Sequence, residues 1–193
     1  MARAAFIAVL SLVVGPGSQG GYITQQQVEV HVERGSTKVA LRPPPAPPST
    51  SRHLLGPAGT GRRLDLAGQA GECESGQVWL RSGADLHNVT AAMTALSAAG
   101  SVASIPAAAC SLFQVGFVNC SKAPPYSPSG GGYHPDILLE IPAGGIALVP
   151  AGLAQPIFLT VCISRATLPG NYTGALALGS SSSGFGASVS VSV

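Results

Sequence analysis

Short segments with an apolar residue at every second position, separated by glycine and proline, constrain the fold of this chain most. Valine occupies alternate positions in residues 28–32 and again in residues 189–193. A period of two is the pattern of a half-buried β-strand. Residues 156–163 are apolar at both alternating sets of positions, which is typical of a strand in the middle of a structure. The chain also contains 25 glycines and 16 prolines, which break helix interiors, so the pattern predicts an all-β protein.

About eight strands and no amphipathic helix are predicted. Residues 37–41 are expected to continue or pair with the first strand, and residues 64–66 to lead into the next. An antiparallel β-sandwich of the immunoglobulin or jelly-roll kind is the expected fold. The predicted strands are 28–32 with 37–41, 64–66 with 72–80, 88–96, 111–119, 133–141, 156–163, 172–178 and 187–193.

The first twenty residues have the features of a secretory signal peptide. Arg3 supplies a positive charge, and residues 4–14 form an apolar run of eleven, which is too short to span a bilayer. Small residues Ser18 and Gly20 precede a plausible cleavage site before Gly21. A short membrane anchor is the alternative. We therefore expect a secreted protein that does not insert into a membrane after cleavage.

The remainder is expected to divide into three regions. Residues 21–41 form an N-terminal strand region, and residues 42–62 form a loop or linker rich in proline and glycine. The run of prolines from 43 to 48 fixes backbone angles and removes N–H donors, which favours an extended spacer. Residues 63–193 form the β-sandwich domain.

Charge is sparse and balanced, with 10 basic and 8 acidic residues. A nucleic-acid partner is not expected, because such a partner requires a concentrated basic face. The four histidines and four cysteines lack the spacing of metal ligands. We expect no metal site and no cofactor.

Four cysteines in an exported chain are disulfide candidates: Cys73, Cys110, Cys120 and Cys162. If residues 111–119 form one strand, Cys110 and Cys120 lie about 33 Å apart at ~3.3 Å per residue. That separation exceeds the roughly 7 Å limit between bridged Cα atoms. If Cys110 and Cys120 pair at all, their partners are then Cys73 or Cys162. The alternative is that one or more of the four remain buried free thiols.

Three sequons for N-glycosylation fit the same compartment. They begin at Asn88, Asn119 and Asn171. Each is a candidate attachment site.

Glu72 and Glu74 are the candidate pair of catalytic carboxylates. On a strand, their Cα atoms would lie about 6.6 Å apart on one face, near the separation of the carboxyl groups in retaining glycosidases. A solvated face or ion pairing with nearby arginines is the simpler interpretation. Asp136 is another isolated carboxylate, and we expect it in a loop or turn. Together with Tyr133 and Tyr172 it is a candidate for contact with substrate or with another domain, and the loop of residues 130–136 is the first candidate for the domain contact.

Exposed aromatic rings are the candidates for contact with sugar or with another domain. Tyr133, beside a glycine-rich stretch, and Tyr172 are the main candidates. Trp79 lies in the middle of a predicted strand, and we expect it to be buried.

Several ordered motifs resemble the N-terminal sandwich domain of glycoside hydrolase family 123-like proteins. Residues 71–80 (GECESGQVWL) resemble a strand of that domain with the pattern N-E-x-E-S-x-Q followed by a hydrophobic residue. Residues 132–138 (GYHPDIL) resemble its G-x-Y-P-D-P-L loop. Residues 155–161 (QPIFLTV) resemble its later Q-P-I-W-V-T-V segment, and residues 168–174 (LPGNYTG) resemble the P-A-G-x-Y-x-G segment that follows it. The resemblance extends from about residue 28 to residue 178.

This resemblance implies a non-catalytic accessory domain. Family members carry an adjacent Asp-Glu pair in a (β/α)₈ barrel after the sandwich, where the substrate's acetamido group assists hydrolysis of N-acetyl-hexosaminide bonds. This sequence has no such dipeptide and no barrel, and Phe158 and Ile137 replace the usual tryptophan and proline. No catalytic residue is carried over. The expected partner is a downstream barrel of the same parent chain; the alternative is a stand-alone secreted protein that binds glycan or matrix.

Overall fold

The computed structural model describes residues 28–36, 38–41, 63–121, 132–181 and 183–193. The predicted signal peptide and the predicted linker 42–62 lie outside the described residues. The described chain is nearly all β, with one short 3₁₀ turn at Ala107–Ala109. Its strands are β1 (Val28–Arg34), β2 (Arg63–Asp65), β3 (Cys73–Ser82), β4 (Leu86–Met93), β5 (Leu96–Ala98), β6 (Ser104–Ile105), β7 (Cys110–Cys120), β8 (Gly132–Glu140), β9 (Ile146–Val149), β10 (Ala154–Cys162), β11 (Tyr172–Ser180) and β12 (Phe185–Ser192).

These strands form two sheets, which confirms the predicted all-β sandwich. The first sheet has the order β1-β3-β10-β7-β8. The second has the order β2-β12-β11-β4-β9, with β5 and β6 attached beside β11. Every pairing is antiparallel except the short one between β2 and β12, which is parallel. The first strand, β1, pairs with β3 over seven residues, so the sandwich includes residues on both sides of 42–62.

The core lies between the two sheets. The strand that is apolar on both faces, β10, sits in the centre of the first sheet, with β3 on one side and β7 on the other. Its inward residues Ile157, Leu159 and Val161 are fully buried, and they pack with Leu176 and Val189 of the second sheet. Burying side chains of this size contributes about 1.5–3 kcal/mol each.

Trp79 is buried, as predicted, but on the outer face of the first sheet. It forms a small cluster with Val39 and Ala154. Its ring stacks on His31, the residue directly opposite on β1, with ring centroids 3.9 Å apart. Residues 38–41 cross this face without forming a strand, and the Ala154 N–H donates to the Leu41 carbonyl. The prediction that 37–41 continues or pairs with the first strand is therefore wrong for the described residues 38–41.

The predicted strand 88–96 is divided in the structure. It ends at Met93, and β5 begins at Leu96. At the break, the Thr94 hydroxyl accepts a hydrogen bond from the Ala175 N–H (2.9 Å) and donates one to the Ala95 carbonyl (3.1 Å). A threonine hydroxyl can bond to backbone N–H and C=O groups that would otherwise pair between neighbouring strands, which explains why β4 stops here.

Candidate functional site

A shallow groove lies at the open side of the sandwich, where β1 and β2 form the edges of their sheets. Its volume is about 540 Å³, and residues 32–36, 64–67, 74 and 75 line it. Glu74 is half-buried in this groove. Glu72 is in the turn before β3 and does not line the groove; its carboxylate accepts a hydrogen bond from the Gln69 N–H at 3.0 Å. The two glutamates therefore differ in surroundings, and Glu72 stabilises a turn.

A disulfide joins Cys73 of β3 to Cys162 of β10, which are direct partners in the first sheet. The prediction that Cys110 and Cys120 do not bridge each other is confirmed, because they are the two ends of β7. Both are free and half-buried, which agrees with the free-thiol alternative. Burial raises the pKa of the Cys110 thiol, and this makes it a poor nucleophile at neutral pH.

Tyr172 is a core residue, which corrects its candidacy as an exposed contact for sugar or another domain. The residue is only 3% exposed, and its hydroxyl donates to the Leu168 carbonyl at 2.7 Å. This bond reaches back four residues across the turn before β11. The arrangement is that of a tyrosine corner, in which a buried tyrosine holds the connection between two strands of a sandwich. The ring is therefore fixed inside the fold.

Tyr133 is exposed, as predicted: it lies near the start of edge strand β8, and the residue is 57% exposed. Asp136 is in the same strand and not in a loop, which corrects the prediction for it. The register passes from Phe117 opposite Pro135 to Gly116 opposite Ile137, so Asp136 is the extra residue of a β-bulge. The bulge divides β8 into two halves.

The second half of β8 is a surface that sequence reasoning missed. Ile137, Leu138 and Leu139, which we call the apolar edge, are 44–46% exposed. A Cβ placed on Gly116 would lie 3.3 Å from Leu139 and 3.6 Å from Ile137, so these two cover the inner side of β7. Leu138 points to the opposite face because side chains alternate along a strand. Pro135, the bulge at Asp136 and Glu140 flank this segment and protect the edge from pairing with other chains, whereas the apolar edge itself carries neither charge nor proline.

The three sequons all present exposed asparagines. Asn88 lies in β4 with a left-handed backbone (φ 50°), and its amide donates to the Ser181 hydroxyl at 3.3 Å. Asn119 is the penultimate residue of β7, and Asn171 immediately precedes β11. N-glycosylation at these positions stays a prediction.

Two general features of the described residues bear on localisation and metal binding. No helix among them is long and apolar enough to cross a membrane. Within the same residues, no group of three potential metal ligands comes together.

Comparison with known proteins identifies structural neighbours only. No protein-family model matches the chain, and no curated protein matches it significantly. A family 123 glycoside hydrolase from Clostridium perfringens superposes on 86% of this chain with a TM-score of 0.64 and 12% identity. At that identity the likeness shows the fold alone. This chain spans 27% of the length of that hydrolase.

Two further structures overlap the chain more loosely. They are a PapD-like domain of human CEP192 (TM-score 0.36, 10% identity, 96% of this chain and 94% of that one) and the CooA pilin subunit of enterotoxigenic Escherichia coli (TM-score 0.36, 14% identity, 86% and 95%). Neither is similar enough to guide an interpretation of function.

Proposed function

We propose that this chain is a non-catalytic sandwich module of a larger secreted, carbohydrate-active protein similar to family 123 glycoside hydrolases. The observation that carries the proposal is the superposition on most of this chain and about a quarter of that hydrolase. The sequence motifs at 71–80, 132–138 and 155–174 point to the same family independently of the coordinates. The parent protein would act on an N-acetyl-hexosaminide through residues outside this chain.

The apolar edge is the surface that we assign to contact with the neighbouring domain of the parent protein. Ile137, Leu138 and Leu139 are three of the large apolar side chains exposed in the described residues, and they are consecutive on one edge strand. Consecutive apolar side chains on both faces of an edge mark a surface that another protein surface covers. In a protein of the hydrolase's length, most of the polypeptide lies outside the sandwich and is available to cover it.

The stand-alone glycan-binding alternative is less well supported. It predicted that Tyr133 and Tyr172 present their rings to sugar, and Tyr172 is buried. Of these two candidates, only Tyr133 presents its ring to solvent. A single ring offers a small stacking surface compared with the consecutive apolar side chains of the edge.

The first test is the mass of the native secreted protein. An antibody against residues 130–145, combined with peptide mapping of the enzymatically deglycosylated band, measures the length of the parent chain. We expect a band several-fold larger than the 19.2 kDa of this chain, with peptides from beyond Val193. A species at or below 19.2 kDa would overturn the module proposal and favour the stand-alone alternative.

A substitution in the apolar edge tests the assigned contact. In the full parent protein, Leu138→Asp is expected to weaken the contact, because the buried carboxylate would lose its hydration without gaining a partner. The sandwich and the neighbouring domain are then expected to unfold separately. Differential scanning calorimetry would then resolve two transitions in place of one. Leu148→Asp is the matched control, since Leu148 is 45% exposed on β9, at an edge of the other sheet. Equal calorimetric traces for both variants would remove the apolar edge from the proposal.

A further inference from the structure

The first half of β8 and the end of β7 place a glycosylation sequon beside exposed aromatic surface. Asn119 and Tyr133 are direct partners across the two strands, so their side chains share one face. Both residues are exposed. Phe117 lies two residues before Asn119 on that same face, half-buried, with Pro135 opposite it. One side of this hairpin end therefore carries an asparagine amide next to two aromatic rings.

This placement distinguishes Asn119 from the other sequons. The amide of Asn88 is hydrogen-bonded to Ser181, and the aromatic residue next to Asn171 is the buried Tyr172. In the described part of the chain, Asn119 is the sequon asparagine whose cross-strand partner is an exposed aromatic residue. The middle residue of its sequon, Cys120, belongs to the opposite face by strand alternation.

We propose that Asn119 carries an N-linked glycan whose first sugars pack against Tyr133 and Phe117. The apolar face of a pyranose ring stacks on an aromatic ring through burial of apolar surface. Covalent attachment at Asn119 holds the sugar beside both rings, so packing costs little additional translational freedom. The ligand of Tyr133 is then a glycan of this same chain.

The modification is a group transfer from a lipid diphosphate-linked oligosaccharide, the donor of the export pathway. The Nδ2 atom of Asn119 forms a bond to C1 of the first sugar, and the bond between C1 and the diphosphate oxygen breaks. The lipid diphosphate leaves with the bonding electrons, and the amide gives up one proton.

Such a glycan has a structural consequence for the sheet edge. Residues 132–135 lie on the free edge strand, and a bulky polar group beside them blocks pairing with another chain. The bulge at Asp136 separates this half of β8 from the apolar edge. The glycan and the proposed domain contact therefore occupy different halves of the strand, and the inference requires export but not the module proposal.

The test begins with the full chain secreted from eukaryotic cells. Glycopeptide mass mapping is expected to show a glycan on Asn119 in the wild-type protein and none there in Ser121→Ala, which destroys the sequon without changing Asn119. Absence of a glycan from Asn119 in the secreted wild-type protein would overturn the proposal.

Thermal unfolding then tests the packing. Tyr133→Ala is expected to lower the Tm of the glycosylated protein by about 2–4 °C, and to leave the Tm of the Ser121→Ala background nearly unchanged. Tyr133→Phe keeps the ring and is expected to retain the wild-type Tm. An equal effect of Tyr133→Ala in the two backgrounds would show that the glycan does not contact the ring, and would overturn the packing.

Discussion

Replacing both Cys73 and Cys162 by serine is expected to lower the free energy of unfolding by about 4–5 kcal/mol. The two residues are 89 positions apart in the chain. A crosslink over a loop of that length removes much of the conformational freedom of the unfolded chain, and its loss restores that freedom. Urea unfolding of the double variant against the wild-type protein measures the difference, which is a large fraction of the stability of a typical domain.

Two controls separate the crosslink from the loss of a thiol. A reducing agent added to the wild-type protein is expected to reproduce the effect, whereas Cys120→Ser, which alters a free and half-buried thiol, is expected to change little. A free energy of unfolding for the double variant within about 1 kcal/mol of the wild-type value would show that the disulfide does not constrain the unfolded chain. That margin is close to the uncertainty of extrapolating the free energy to zero denaturant.

The strand pattern could be predicted from the sequence because each strand is a local feature. Alternating valines at 28–32 and 189–193 and the mostly apolar run at 156–163 correspond to β1, β12 and β10. Strand β9, Ile146–Val149, was missed because it is only four residues long and has too few positions to show a period. The pairing of β1 with β3, around the undescribed residues 42–62, was not predicted because it depends on contacts far apart in the sequence.

The disulfide shows the same division between local and distant information. Strand geometry excluded a bond between Cys110 and Cys120, since both lie on one strand. Choosing the bonded pair required the register of β3 against β10, which places Cys73 opposite Cys162. That register arises from packing across the whole sheet.

The candidate site was less predictable than the fold because exposure is not encoded in residue type. Tyr133 and Tyr172 look alike in the sequence, yet one is 57% exposed and the other 3%. The signal that distinguishes them is the Leu-Pro-Gly-x-Tyr spacing that ends at Tyr172, which places its hydroxyl against the Leu168 carbonyl. The run Ile137–Leu139 resembles a central strand by composition, and only the sheet order shows that it is an edge.

The corrected role of Tyr172 leads to a second large expected effect. Tyr172→Ala is expected to lower the free energy of unfolding by about 3–5 kcal/mol, because it empties a buried site between the sheets. Tyr172→Phe keeps the ring and removes only the hydrogen bond to Leu168, so its expected cost is about 0.5–1.5 kcal/mol. Denaturant unfolding of both variants separates the contribution of the ring from that of the hydroxyl.

Tyr133→Ala in unglycosylated protein is the matched control, because Tyr133 belongs to the same fold but is mostly exposed. Its expected cost is within about 0.5 kcal/mol, as for other exposed positions. A mild effect of Tyr172→Ala, comparable with that control, would contradict the tyrosine-corner assignment. A large effect of Tyr172→Ala with a small one of Tyr133→Ala would place the two tyrosines in different roles: Tyr172 holds the sandwich together, and Tyr133 remains available to a sugar on the surface.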